Sequence, residues 1–290
     1  MKDFYHIAGI SRAPIFSPNS VDKDGAIFLA VLQRLESLGH QVRVYQEDDF
    51  LQDVVQEKYI FNMVRSHKAV AKLKELETLG VVTVNSGFGI ENCGREPMTM
   101  LFRQYGIPHP QSVVCDLEKD LALQVPSSMY HIKSWMKRAD GCTTQPNDVM
   151  FVKEPTVLPS VLDDFRLRGI QKVVISEHLQ GDLIKFYGVA GTDFFHWFYP
   201  NLSHHSKFGL EEVNGAPIGI SFDAGELQTL CGRAASVLGV DVYGGDAVVA
   251  ADGTISIIDF NDWPSFAPCR EDAAKAIAQA IMQKIERAEL

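Results

Sequence analysis

The sequence predicts an α/β unit at the front of the chain and an α+β portion built on hairpins behind it. Three observations lead there. Strand-like and helix-like stretches alternate over residues 4–105, as in a parallel sheet with helices on its faces. After Gly106-Ile107-Pro108 the pattern changes to short strands in succession. Apolar residues make up 46% of the 290 and charged ones 22%, which suits a packed globular chain and not a disordered one.

The front unit opens with an apolar run at 4–10 and a loop carrying Pro14, Pro18 and Asn19. Residues 24–38 repeat apolar side chains at close to helical period, and Gly39 stands where a helix-ending glycine belongs. Residues 41–45 alternate as a strand, 66–79 read as a helix closed by Gly80, and 81–85 as a β-branched strand. A glycine-rich loop is predicted over 86–94 and a helix over 95–105. No GxGxxG occurs, so a dinucleotide site is not indicated. Behind Pro108, strands are predicted at 129–137, 149–153, 173–178, 183–189 and the aromatic 194–199, with a helix at 159–168. Residues 201–216 read as a polar loop, 223–238 as a helix, and 240–250 with 254–260 as a hairpin about Ala251-Asp252-Gly253. A terminal amphipathic helix covers 272–287.

Composition narrows the function classes. There are 27 Lys+Arg against 37 Asp+Glu, a formal net charge of −10, which disfavours a general nucleic-acid binder. No apolar run is long enough to span a membrane, and the start lacks a signal-peptide pattern. The five cysteines are scattered and never CxxC, so neither a disulfide framework nor a zinc site is predicted. The expectation is a cytoplasmic chain acting on small molecules, without nucleic acid or membrane, with homo-oligomerisation left open.

The terminal hairpin carries the sharpest chemical signal. Asp246 lies on its first strand; Asp259 and Asn261 lie at the end of its second, in IIDFNDWP. Residues 259 and 261 point to one face of a strand, and the turn falls about midway between 246 and 259. Two carboxylates and an amide oxygen converging in this way make a hard-oxygen site suited to Mg²⁺. The same residues would also serve as a turn ahead of Pro264.

The spacing Asp246, then Asp259-x-Asn261-x-x-Pro264, resembles the magnesium motif of ATP-grasp enzymes. Upstream segments resemble that family in the same order. Arg95 stands eleven residues before the glycine of Gly106-Ile107-Pro108, where relatives usually place a lysine. Lys137 and the segment 139–146 with Gly141 resemble the strand lysine and the loop over the phosphates. Glu177, His178 and Leu179 resemble the hinge that reads adenine, and Asp182 the acidic position that binds ribose. Lys185 stands where relatives often place a cation. The resemblance covers about residues 85–270 and implies an ATP-grasp fold with an N-terminal Rossmann-like domain. Residues 1–108 would form that domain, 109–176 the lid, and 177–290 the subdomain with the metal site.

Under this resemblance ATP and one or two Mg²⁺ ions are the implied cofactors, with Arg95, Lys137 and Lys185 as the catalytic cations. The implied reaction joins a carboxylate, activated as an acylphosphate, to an amine. Gly244 occupies the position where D-alanine ligases often carry an arginine, so that substrate is not expected. Two alternatives stay open: a small-molecule kinase resembling inositol phosphate kinases, and a nucleotide-binding protein without catalysis. Each assigned residue also has an ordinary reading: lysines as solvated strand ends, Glu177 and Asp182 as surface carboxylates, and His204-His205 as part of a polar loop. Cys93 and Cys269 have no base beside them in the sequence, so covalent catalysis is not predicted.

Overall fold

The computed structural model describes residues 4–17, 20–139, 145–200 and 213–290. Three four-stranded sheets follow one another along the chain.

The first sheet holds β1 (His6–Ser11), β2 (Gln41–Gln46), β3 (Tyr59–Asn62) and β4 (Val82–Val84) in the order β2-β1-β3-β4. Every pairing in it is parallel, as the alternation predicts. Its helices are α1 (Val21–Ser37), α2 (Glu47–Gln52), α3 (His67–Thr78), α4 (Gly87–Asn92) and α5 (Arg95–Gln104). The residues expected to form a glycine-rich loop are therefore mostly helix. Ser86 caps α4 through its hydroxyl, and Glu77 accepts the Gly87 amide at 2.6 Å. These two contacts satisfy the first amides of a segment with little helical propensity of its own.

The second sheet runs β5-β8-β6-β7 and is antiparallel: β5 (Ser112–Asp116), β6 (Ser134–Arg138), β7 (Val149–Val152) and β8 (Lys172–Glu177). Two helices belong to it, α6 (Leu121–Gln124) and α7 (Leu158–Leu167). Its core is its own, formed by Met129, Met136, Leu162, Phe165, Val173 and Ile175 among others.

The third sheet runs β10-β9-β11-β12, also antiparallel: β9 (Asp182–Val189), β10 (Phe195–Phe198), β11 (Val242–Val249) and β12 (Ile255–Asp262). One side of it packs on α8 (Ala224–Leu238) through Leu227, Cys231, Ala234 and Leu238. The last helix, α9 (Arg270–Glu289), lies against α1. Ile277 and Ile281 on α9 join Ile7, Ile27 and Val31 of the first sheet unit and Val189 and Val242 of the third sheet in one buried cluster. No helix among the described residues is long and apolar enough to cross a membrane.

Candidate active site

A cleft of about 740 Å³ opens between the three sheets, within the usual range of small-molecule sites. The third sheet forms its floor. Along β9 the residues lining the cleft are Leu183, Lys185 and Tyr187; along β11 they include Gly244, Asp246 and Val248. Alternation along a strand produces both sets.

Strand register then assembles the chemistry. Lys185 lies opposite Asp246, and Asp246 opposite Asp259, so the three form one row across β9, β11 and β12. Asn261, two positions along, hydrogen-bonds Asp259. The Lys185 ammonium donates to Asp246 Oδ1 at 2.8 Å. A β-bulge breaks the register beyond Asp246, where Ala247 pairs with Ile257 and Ile258 is left over on β12. Bulges leave one residue outside the ladder and re-aim its neighbours. Here the Ile258 carbonyl accepts the Lys137 ammonium at 2.9 Å, which brings a lysine of β6 onto the row.

Arg95 begins α5 and donates to the Arg138 carbonyl at the end of β6 at 2.9 Å. Burial alone would raise the Asp259 carboxyl, but Lys137, Arg95, the Asn261 bond and Lys185 together hold it below the ordinary carboxylate range. Burial and Arg95 bring the Lys137 ammonium below its ordinary value, against the opposing pull of Asp259 and Asp246. The donors offered by Asp246, Asp259 and Asn261 are hard oxygens, and this chemistry fits Mg²⁺.

The second sheet and residues 177–179 form the other end of the cleft. The Glu177 and His178 amides are spent on the carbonyls of Gln111 and Lys133, each at 2.9 Å. The next amide, Leu179, has no partner among the described residues, and the Leu179 carbonyl accepts Asn214 Nδ2 at 3.2 Å. His178 Nδ1 accepts the Trp135 indole N–H at 3.1 Å, and its ring packs edge-on against Phe151. Burial, then the charge of Lys133, lowers the His178 pKa, so the ring is held neutral. Val149, Leu183, Val248 and Ile258 supply apolar walls.

All but two of the residues expected at the site line this cleft: Arg95, Lys137, Glu177, His178, Leu179, Lys185, Asp246, Asp259 and Asn261. Asp182 does not, and the ribose assignment is corrected. Its carboxylate is 3% exposed and accepts the amides of Ile218 and Ile220 at 2.8 and 2.7 Å, pinning that segment to the sheet. The reason is parity: Asp182 is three residues from Lys185, so it points to the opposite face of β9. Gly141 lies outside the described residues, as do His204 and His205.

Two arginines at the cleft were not anticipated. Arg12 follows β1 and donates to the Met63 carbonyl, Asp24 and the Trp263 carbonyl at 3.2, 2.8 and 3.0 Å. Arg65 follows β3 and holds Asp262 at 2.8 Å through its side chain and at 3.2 Å through its carbonyl. Glu47, 1% exposed, accepts the amides of Ala13, Arg65 and Ser66 and so fixes both arginine-bearing loops. The available signal was position: each arginine stands just past the C-terminal end of a parallel strand, where open α/β sheets bind ligands.

A parallel sheet and two antiparallel sheets around one charged cleft match the ATP-grasp fold of the solved structures that this chain resembles. Among solved structures it is similar to a D-alanine–D-alanine ligase from Bacillus anthracis complexed with ATP. The TM-score is 0.70 at 14% identity, over 98% of this chain and 99% of that one. It is also similar to a RimK domain ATP-grasp protein from Sphaerobacter thermophilus, with a TM-score of 0.66 at 14% identity over 96% and 99%. The ATP-grasp ligase PsnB, complexed with a minimal precursor, gives 0.60 at 17% over 96% and 98%. No family model and no curated protein matches the sequence.

Proposed function

We propose that the chain is an ATP- and Mg²⁺-dependent ligase that activates a small carboxylate and joins it to an amine or similar nucleophile. The observation that carries this reading is the row Lys185–Asp246–Asp259 with Asn261, Lys137 and Arg95 gathered on it in one cleft. The ligases named among the similar structures support it.

In this reading the purine lies between the apolar walls and takes the Leu179 amide, with Glu177 beside the sugar. Arg95, Lys137 and Lys185 hold the phosphate oxygens, and their positive charge favours the transition state of phosphoryl transfer, which is mostly a matter of positioning and electrostatics. Magnesium held by Asp246, Asp259 and Asn261 would neutralise the transferring phosphate oxygens. The γ-phosphoryl passes to a carboxylate oxygen and ADP leaves. The nucleophile then attacks the acyl carbon, losing a proton as inorganic phosphate departs. No protein nucleophile is needed. Burial pushes the Cys93 thiol well up and the Cys269 thiol up to about 12, so neither supplies a thiolate near neutral pH.

The test is ADP and phosphate release from ATP and Mg²⁺ with pools of amino acids, other small carboxylates and sugar or inositol phosphates. Phosphate release that needs both a carboxylate and an amine supports the ligase; a new phosphoester with no free phosphate replaces it with a kinase. Asp259→Ala should lower turnover by about 10²–10⁴, the range expected when several kcal/mol of charge stabilisation are lost. A cooperative unfolding transition should show that the variant remains folded. Activity retained in this variant would remove Asp259 from the metal site.

A further inference from the structure

We propose that Lys185 is a resident stand-in for the metal, so that Asp246 and Asp259 accept a divalent cation only together with the nucleotide. This rests on the ATP and metal reading above and adds to it an order of events.

The argument starts from what occupies the carboxylates. Asp246 holds the Lys185 ammonium at 2.8 Å, and the two side chains are only 22% and 17% exposed. Asp259, deeper in the site, feels Lys137, Arg95 and Lys185 together. Among the described residues, three cationic side chains thus act on these two carboxylates. Among the described residues no three His, Cys, Asp or Glu side chains are placed to hold a metal ion, so the donors here are two carboxylates and the Asn261 amide oxygen. A bare divalent cation entering here meets like charge at short range in a partly dry site, where Coulomb interactions are weakly screened.

A nucleotide triphosphate reverses the balance. Its oxygens offer the lysines a stronger, more anionic partner. Lysine is a flexible point charge, so Lys185 can swing from Asp246 to a phosphate while its backbone stays in the ladder. The vacated Asp246 oxygen then faces Asp259 and the phosphates, and the site becomes net negative. One lysine therefore does two things in turn: it neutralises Asp246 until a nucleotide binds, and it then binds phosphate. Ligands that each improve the site for the other bind with reciprocal positive coupling.

The experiment uses the full chain and Mn²⁺ as the metal probe, with free Mn²⁺ followed by electron paramagnetic resonance, alone and with a non-hydrolysable ATP analogue. In the parent protein the analogue should tighten Mn²⁺ binding by about 100-fold, within the span of strong site–site coupling. Lys185→Gln removes the stand-in. Its binding of Mn²⁺ alone should tighten about tenfold, the order expected when one nearby like charge is removed from a partly buried site. Its affinity for the analogue without metal should fall. Lys185→Arg keeps the charge and should leave binding of Mn²⁺ alone weak, which separates charge from loosening of the fold. The gain must vanish in the double variant Lys185→Gln, Asp246→Asn, since Asp246 is the carboxylate set free. Unchanged or weaker binding of Mn²⁺ alone in Lys185→Gln overturns the proposal. If the parent binds neither the analogue nor Mn²⁺ in its presence, the ATP reading beneath it falls, a result distinct from the first.

Discussion

His178 shows at the scale of one residue how a side chain can be set by its neighbours. Its Nδ1 accepts the Trp135 indole proton, and burial followed by Lys133 disfavours the imidazolium. The folded pKa thus lies below the unfolded value, and the unfolded chain binds the extra proton first. Stability is then fully present above the unfolded pKa of ~6.5 and falls as pH drops from there toward the folded pKa. Protonation of Nδ1 would also break the Trp135 bond, since a protonated nitrogen cannot accept. Melting temperatures taken from pH 8 to pH 5 should therefore decline on the acid side, and His178→Phe should flatten that decline. Equal slopes in the two proteins would mean that His178 is not held neutral. The same logic explains Asp259, whose neighbours outweigh its burial, so that it stays ionised in a place where a lone carboxyl would not.

At the scale of the element, the site depends on how closely β11 and β12 approach. A Cβ on Gly245 would stand 2.2 Å from the Asp259 carbonyl and 2.7 Å from the Phe186 ring. The first obstacle is backbone, so relief would have to move β12 and the carboxylate it carries. Gly245→Ala should cost about 1–3 kcal/mol, as overpacking does, and lower turnover by about 100-fold through misplacement of Asp259. Gly232, inside α8, has nothing within 4 Å of such a Cβ. Gly232→Ala should instead stabilise by about 0.5–1 kcal/mol, with activity intact. Denaturant unfolding and ADP release on the pair would distinguish local crowding from a general effect of adding a methyl. Much of this hairpin was legible in the sequence. The Ala-Asp-Gly turn lies midway between Asp246 and Asp259, and the two are found opposed. The bulge was not legible, because one surplus residue changes no alternation pattern that a short strand can display. So the Lys137–Ile258 contact could not be read in advance. The helix over 87–92 was hidden for a related reason: its stability comes from Ser86 and Glu77 outside it, and Gly89 is required where the Gly239 carbonyl would come within 2.2 Å of a Cβ. The four-residue β3 is wholly buried and so lacks the alternation that marks an amphipathic strand. Asp182 was misread although the clue was present, since its parity with Lys185 already placed it on the far face.

At the scale of the whole molecule, the sheets do not share cohesion equally. The terminal helix α9 fills one buried cluster with residues of both the first and the third sheet units, Ile277 touching a core that runs from Ile7 and Val31 to Val242. Its alanines at 273, 274, 276, 278 and 280 let neighbouring elements approach closely. The second sheet has a separate core around Met136, Phe165 and Ile175. Separate hydrophobic clusters open as separate cooperative units, whereas one cluster spanning two sheets couples them. Arg12 and Arg65 strengthen that coupling by holding the Trp263 and Asp262 carbonyls from the first sheet unit, so the strand that carries Asp259 and Asn261 is anchored at its exit. Such an arrangement leaves the second sheet a packing unit of its own beside a first and a third sheet that share one. Ile277→Ala tests it. Ile277 is fully buried, and truncating it should cost about 2–5 kcal/mol. If the first and third sheets form one unit, amide exchange should accelerate together in β1, β3 and β11 and stay near the parent rate in β6 and β8. Acceleration confined to α9 and the first sheet would separate the third sheet from the front unit, and acceleration in all three sheets would make the second sheet part of the same block.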